Sequence, residues 1–397
     1  MPYASVFKDE TKLDINYTPS KLQHRNYHFQ LLNRYFLHAV ETPGKMTQRV
    51  IVTGRVGTGK TVLTRHFGQN IVREAKHRNI NLHYVHVNCR QNKGSFFYIL
   101  QQIMTQFHPT FPKRGYSAEE LLQALMQVLD DQNIYLILAL DELEPLIQNE
   151  GSEPLYKLSR IEEIREKPSK RVSLLCILRE LSWLNKLDAS TRSTLQSNVI
   201  QLDTYTKVQL QDILNDRVIL AFNSGTVPLE TVELAAELGE EEGGNARYAI
   251  ELLWRAGKYA DTEEAIEVLP EYIRKAAGNV YANIRRDEIA TLDLHKKLFL
   301  LGIARRFQQT GGVYLSMGEA EEAYTIVCEE FDEPPRGHTQ VWKYIQELSS
   351  LGLVNAKLST TGQRGKTTLI GLPRIAATDL EKELNKSLEH VKRGYAR

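Results

Sequence analysis

The chain has 397 residues, with 50 Lys and Arg against 49 Asp and Glu, and a formal net charge of +1. At roughly 100–200 residues per domain this length predicts two or three domains. The neutral balance excludes a chain that is basic throughout, as a protein coating nucleic acid would be, and one dominated by an acidic tail. A hydrophobic fraction of 42% and a charged fraction of 25% are ordinary for a globular protein. No apolar run reaches the roughly 18 residues of a membrane span. Residues Met1 to Glu10 contain no basic segment followed by an apolar stretch, so no secretory leader and no membrane partner are expected. The cysteines, Cys89, Cys176 and Cys328, are isolated. They predict neither a disulfide framework nor a zinc site, and they fit a reducing cytoplasm.

In chain order, residues 1–19 read as a polar, extended arm. Ser20 to Val40 places Leu31, Leu32, Phe36 and Val40 at helical spacing, and Pro43-Gly44 ends that helix. Val50–Val52, Leu82–Val87, Ile134–Leu140 and Val172–Leu178 read as strands, with helical periodicity between them over Phe96–Phe107 and Ala118–Leu129. Apolar strands alternating with helices predict an α/β fold, a parallel sheet covered on both faces. From Lys207 the strand signals stop. Lys207–Ala221, Leu229–Leu238, Ala246–Ala256 and Asp261–Tyr281 read as four helices, followed by a linker near Asn283–Ala290. The remainder reads as three helices and then two short strands.

Gly54-Arg55-Val56-Gly57-Thr58-Gly59-Lys60-Thr61 fits the pattern G-x-x-x-x-G-K-[ST] between a strand and a helix. Glycines let successive backbone N–H groups turn toward phosphate oxygens, and the helix N-terminus adds partial positive charge. Lys60 is placed to bridge the β- and γ-phosphates of ATP, and the Thr61 hydroxyl to bind Mg²⁺. The run Ile134–Leu140 ends in Asp141-Glu142. This puts two carboxylates at the carboxyl edge of the sheet, where such folds bind ligands. Asp141 is expected to hold Mg²⁺, and Glu142 to polarise the attacking water as general base. Together these motifs read as a P-loop ATPase core.

The Asp-Glu pair resembles the AAA+ class, and further residues narrow the resemblance. Asn245-Ala246-Arg247-Tyr248-Ala249, after Gly243-Gly244 and before Leu252-Leu253, resembles the lid signature of archaeal origin-recognition initiators. These are similar to eukaryotic origin-recognition subunits and the Cdc-six loader. Tyr205-Thr206 through Leu210, Ile213-Leu214, Arg217 and Ala221-Phe222 resembles the segment that opens that lid. Pro19-Ser20-Lys21-Leu22-Gln23-His24-Arg25 is similar to the family's Pro-x-x-Leu-x-x-Arg element beside the adenine, and Val87-Asn88-Cys89-Arg90 matches the strand after the P-loop helix. The resemblance implies an AAA+ core over residues 20–204, a helical lid over 205–283 and a winged-helix domain over 291–397. It further implies that Arg247 reaches the γ-phosphate and that Tyr205 and Arg217 flank the nucleotide. Two positions depart from the family. Arg179 stands where the family carries an Asn that senses the γ-phosphate. Asp188-Ala189-Ser190-Thr191-Arg192 replaces an Asp-Pro-Arg run, leaving Arg192 as the trans-acting arginine in a shifted position. These departures imply weak ATP hydrolysis and a nucleotide-dependent switch.

The C-terminal region carries its own pattern. Val341, Ile345, Leu348 and Leu351 fall at helical spacing, with Thr339, Gln340 and Lys343 elsewhere on the circumference; Gly352 ends the helix. Leu353–Leu358 and Lys366–Gly371 then form a hairpin around a tip bearing Arg364. A helix followed by a basic-tipped hairpin is a winged helix, its helix suited to the major groove and Arg364 and Lys366 to phosphates or the minor groove. Residues 336–397 hold 11 Lys and Arg against 5 Asp and Glu, whereas the rest of the chain holds 39 against 44. Lys113 and Arg114, among the aromatics of Phe107–Tyr116, correspond to a DNA-contacting insertion of the resembled family. The resulting expectation is an ATP-dependent initiator that binds double-stranded origin DNA. Its partners would be the replicative helicase and initiator paralogues, in a cytoplasmic, nucleoid-associated setting. The alternatives are a DNA-binding regulator derived from that family and a signalling P-loop ATPase with a winged helix.

Overall fold

Four of the five strands of the main sheet are the apolar runs of the sequence: β1 (Arg49–Thr53), β2 (Leu82–Asn88), β3 (Tyr135–Asp141) and β4 (Val172–Leu178). The structure, a computed structural model, describes residues 5–112, 114–161, 170–196, 198–358, 367–373 and 375–394, without the side chains of 279–288, 290 and 389–394. The fifth strand, β5 (Val199–Gln201), was not legible in the sequence: three residues show no period. All pair in parallel, in the order β2-β3-β4-β1-β5. Residues 16–205 form this unit.

Both faces of the sheet are apolar because successive side chains alternate. On one face Leu136, Leu138 and Leu140 of β3 pack with Ile99, Ile103, Leu121 and Leu125. Those four come from α4 (Phe96–Phe107) and α5 (Ala118–Asp131), the latter opened by a Ser117–Glu120 capping box. On the other face Ile137 and Ala139 join Leu32, Phe36, Leu63 and Phe67. That side is covered by α1 (Asn26–Tyr35), α2 (His38–Glu41) and α3 (Lys60–His77), where one continuous helix was expected over 20–40. Gly68 lets α3 approach β2: a Cβ there would lie 2.2 Å from the Tyr84 ring. Short helices α6 (Glu144–Glu150), α7 (Glu153–Ser159) and α8 (Ala189–Leu195) complete the unit.

The second unit joins residues 1–15 to 206–397. Its first helices are α9 (Lys207–Ala221), α10 (Leu229–Glu241), α11 (Ala246–Thr262) and α12 (Pro270–Thr291). Two expectations are corrected here. The predicted helix over Asp261–Tyr281 is divided by a break before Pro270, which fits the first turn of a helix and not its interior. The expected linker near Asn283–Ala290 is helical, the last turns of α12; no Pro or Gly follows Gly278 to interrupt it. Then follow α13 (Leu294–Thr310), β6 (Leu315–Ser316), α14 (Met317–Glu330), α15 (His338–Ser350), β7 (Asn355–Leu358), β8 (Thr368–Gly371) and α16 (Ala377–Gly394). The strands form an antiparallel sheet in the order β6-β8-β7.

The N-terminal segment is docked, not free. From residue 5 onward it lies on α9 and α11. The Ser5 hydroxyl donates to Asp261 Oδ2 at 2.6 Å and the Val6 N–H to Asp261 Oδ1 at 2.8 Å. The Phe7 ring lies 4.8 Å from that of Phe222. Glu10 accepts from Trp254 Nε1 at 2.8 Å and pairs with Lys258 at 2.7 Å.

Two polar nodes, one buried and one half-buried, fasten the four-helix layer to the winged helix. Arg274 of α12 is fully buried; its guanidinium donates to the carbonyls of Leu372 (3.0 Å), Gly312 (2.8 Å) and Val313 (3.2 Å) and to Glu271 Oε2 (3.1 Å). Glu237 of α10 accepts from Lys207 Nζ and Tyr314 Oη, both at 2.5 Å, and pairs with Lys357 of β7 at 3.4 Å. Burial pushes the Glu237 carboxyl upward, but Lys207 and Tyr314 outweigh it and hold the group below its usual value.

Candidate nucleotide and DNA sites

The loop Gly54–Thr61 leaves the carboxyl end of β1 and enters α3. Gly57 and Gly59 adopt φ of +82° and +86°, and Gly54 one of +152°, where a side chain is strained. At Gly59 the space is also taken: a Cβ would stand 2.9 Å from Tyr205 Oη. The loop is braced from inside. The Thr58 hydroxyl donates to the Arg55 carbonyl at 2.9 Å, and Lys60 Nζ donates to the carbonyls of Gly54 and, at 2.8 Å, of Arg55. Val56 is 46% exposed at the tip.

Arg25 is a brace that sequence reasoning did not place among the site residues. It is 4% exposed. Its Nε donates to the Thr58 carbonyl at 3.1 Å and its Nη2 to the Asp203 carbonyl at 2.6 Å, and its guanidinium lies 4.0 Å from the centre of the Tyr205 ring. The signal for it lay in the Pro19–Arg25 element, which ends on this residue.

The register of β1, β4 and β3 brings Asp141 and Glu142 beside the loop. The Thr61 hydroxyl donates to Asp141 Oδ2 at 2.8 Å, and His86 Nε2 donates to the same oxygen at 3.1 Å. Asp141 is 3% exposed. Burial raises its carboxyl, but the hydrogen bonds and charge from His86 and the bond from Thr61 outweigh this, so its pKa lies below the ordinary value. Period-2 alternation along β2 puts His86 and Asn88 on one face, a relation the sequence contained and the sequence reading did not use. Asn88 Nδ2 donates to Glu142 Oε2 and Arg179 Nη2 to Glu142 Oε1, each at 3.3 Å. The loop, Thr61, Asp141, Glu142 and Tyr205 therefore share one edge of one unit.

Three predicted nucleotide residues remain. Arg192 is half-buried on α8, with Nη1 3.5 Å from Asn185 Oδ1. Arg247 is exposed in the first turn of α11, which Asn245 caps by accepting from the Tyr248 N–H at 3.1 Å. Arg217 is buried in α9, and its Nη1 donates to the Lys12 carbonyl at 2.9 Å. Both belong to the second unit.

On the winged helix, α15 buries Val341, Tyr344, Ile345 and Leu348. Its opposite face exposes Thr339, Gln340, Lys343 and Gln346, together with Trp342 at 36% exposure. Trp342 is an addition to the sequence reading, which treated this face as polar. Arg364 and Lys366 lie outside the described residues, as does Lys113. Arg114 is exposed, but Phe107 and Phe111 of its segment pack against the core, leaving Tyr116 as the more exposed aromatic.

A P-loop on a parallel sheet, followed by a helical layer and a winged helix, defines an AAA+ protein with a lid and a winged-helix domain. Family models match in that order: an AAA domain over residues 46–183, the Cdc6 AAA+ ATPase-type lid domain over 211–278 and the CDC6 C-terminal winged helix domain over 287–381. The chain is 36% identical over 392 residues to ORC1-type DNA replication protein 2 of Sulfurisphaera tokodaii, covering 97% of this chain and 94% of that protein. Its structure is similar to that of Cdc6p from Pyrobaculum aerophilum, with a TM-score of 0.84 at 29% identity, covering 98% of this chain and 100% of the other. The Aeropyrum pernix ORC1 protein in complex with DNA matches with a TM-score of 0.64 at 27% identity over 96% and 97% of the two chains. The chain belongs to the ORC1-type family of DNA replication initiators. Among the described residues no helix is long and apolar enough to cross a membrane.

Proposed function

We propose that this initiator binds ATP and Mg²⁺ in the loop between β1 and α3. We further propose that it recognises double-stranded origin DNA through its winged helix and assists loading of the replicative helicase. The nucleotide reading rests on one observation: the Thr61 hydroxyl and the Asp141 carboxylate lie 2.8 Å apart beside a glycine-turned loop. A hydroxyl and a carboxylate are hard oxygen donors of the kind Mg²⁺ takes. Backbone N–H groups at the N-terminus of α3 suit a phosphate chain. ATP supplies a phosphoanhydride whose binding and cleavage give the protein two states. Lys60 offers its ammonium to phosphate oxygens, Thr61 and Asp141 hold the metal, and Glu142 takes a proton from water. Tyr205 flanks the nucleotide, and Arg192 offers its guanidinium in trans, to the terminal phosphate held by a second copy of the chain.

The DNA half places Thr339 and Gln340 of α15 against base edges in the major groove and Lys343 of the same helix on a flanking phosphate, with Arg364, Lys366, Lys113 and Arg114 also on the backbone. Lys343→Ala is expected to weaken duplex binding and to flatten the salt dependence of log K by about one unit, the signature of one lost phosphate contact. Gln340→Ala is expected to cost about 1–3 kcal/mol at one base-pair position and to relax discrimination there. Anisotropy titrations between low and moderate salt read both. If neither variant changes affinity or slope, α15 is not the recognition helix. Mapping of bound genomic sites against replication start points, with helicase recruitment as a second readout, separates an initiator from a regulator.

A further inference from the structure

Glu142 ends the edge on which the P-loop lies, and its two neighbouring strands hold it from either side. Asn88, the last residue of β2, donates to Oε2; Arg179, directly after β4, donates to Oε1; both distances are 3.3 Å. β2 and β4 are the strands that flank β3 in the sheet, so the carboxylate plane is fixed by donors from opposite directions. Glu142 also sits at φ +48°, with its own N–H donating to Asp141 Oδ1 at 2.9 Å.

Arg179 is anchored where it can do this. Its N–H donates to the buried Glu144 carboxylate at 2.6 Å, and its carbonyl accepts from the Thr53 hydroxyl at 3.4 Å. Thr53 is the residue before the P-loop. The backbone of Arg179 is thus tied on both sides, while its side chain, 44% exposed, ends on Glu142.

We infer that Arg179 is a positioning residue that restrains Glu142 and slows hydrolysis of the bound nucleotide. The inference rests on the reading of Glu142 as the general base. The guanidinium occupies a lone-pair direction of Oε1 that an attacking water would use. To reach that water the carboxylate has to leave donors that hold it from both sides. An interaction made in the ground state and given up on the way to the transition state raises the barrier. Because the pair is partly exposed, its effect is modest.

The test is single-turnover hydrolysis of ATP by the full chain, with ATP affinity measured on the same proteins. Arg179→Gln keeps much of the length and removes the charge. It is expected to raise the hydrolysis rate about two- to fivefold, with ATP affinity unchanged within about twofold. Arg179→Lys, which keeps the charge, should stay near wild type. Glu142→Gln should hydrolyse much more slowly, and adding Arg179→Gln to it should change nothing further. A fall in rate or in ATP affinity for Arg179→Gln overturns the inference and makes Arg179 a phosphate ligand. No change overturns it and makes Arg179 a bystander, and an equal gain on the Glu142→Gln background shows an effect that does not pass through Glu142. If Glu142→Gln itself hydrolyses at the wild-type rate, the assignment of the base fails and the inference falls with it. Slow hydrolysis by Glu142→Gln beside an unresponsive Arg179→Gln overturns the inference alone.

Discussion

A Lys60→Ala protein is expected to bind ATP at least roughly 100-fold more weakly than wild type. Lys60 is the first residue of α3, so its ammonium lies at the end of the helix where backbone N–H groups are unsatisfied. The side chain spans the loop, donating to the carbonyls of Gly54 and Arg55, and this places three N–H donors on one cation inside the glycine turn. Two charge-assisted bonds to phosphate at about 1.5–3 kcal/mol each come to about 3 kcal/mol or more, two decades of affinity. The fold should not suffer comparably, because Arg55 is exposed to water and the bonds from Thr58 and Arg25 still brace the loop; a thermal melt close to wild type accompanies the loss. Calorimetric titration of ATP checks the expectation, and wild-type affinity would remove the loop from the nucleotide site.

The second large effect concerns stability. Arg274→Met is expected to destabilise the second unit by about 3–5 kcal/mol, the cost of breaking a buried charged network by removing one partner. The guanidinium reaches three carbonyls and Glu271, with the Phe307 ring centre 4.7 Å away. Burial lowers the pKa of this arginine while Glu271 raises it again, a net lowering. Methionine fills part of the volume and leaves Leu372, Gly312 and Val313 with unmet carbonyls, each costing about 1–3 kcal/mol if they stay dry. Arg274→Lys keeps the charge but not the planar fork that serves several acceptors together, so an intermediate loss is expected. Hydrogen exchange gives the location: amides in 206–394 should exchange faster and those in 16–205 should not. Exchange unchanged in both regions would mean that the node contributes no net stability.

The sequence announced the central strands well because continuous apolar runs have few other uses in a chain of this length. β4 is buried at every position and β3 at all but the first. The P-loop and Asp141-Glu142 were legible because their chemistry fixes residue type and spacing together. Less was legible where partners are distant or elements short. Arg274 looks like a surface arginine on a helix; the carbonyls that bury it lie 38, 39 and 98 residues away. β6 has two residues. α16 follows the predicted hairpin and is rich in Lys and Glu, so its apolar stripe (Leu380, Leu384, Leu388) is sparse in sequence and evident only from what it covers. The arm, read as polar and extended, gave no sign of its partners, which lie far along the chain: Ser5 donates to Asp261, and Glu10 pairs with Trp254 and Lys258.

The docked arm also bears on the order in which the chain folds during synthesis. Ser5 and Asp261 are separated by 256 positions. At the usual elongation rate of about 5–20 residues per second, the arm leaves the ribosome roughly 10–50 s before its partner helix exists. By the end of that interval the sheet of residues 16–205 has every strand it needs, whereas Val6 and Phe7 still lack the α11 surface on which they are buried. Closing so long a loop carries an entropic cost that grows only as the logarithm of its length, so the late contact remains affordable. Seating of the arm therefore waits for α11, and a nascent chain stalled before that helix carries the arm undocked.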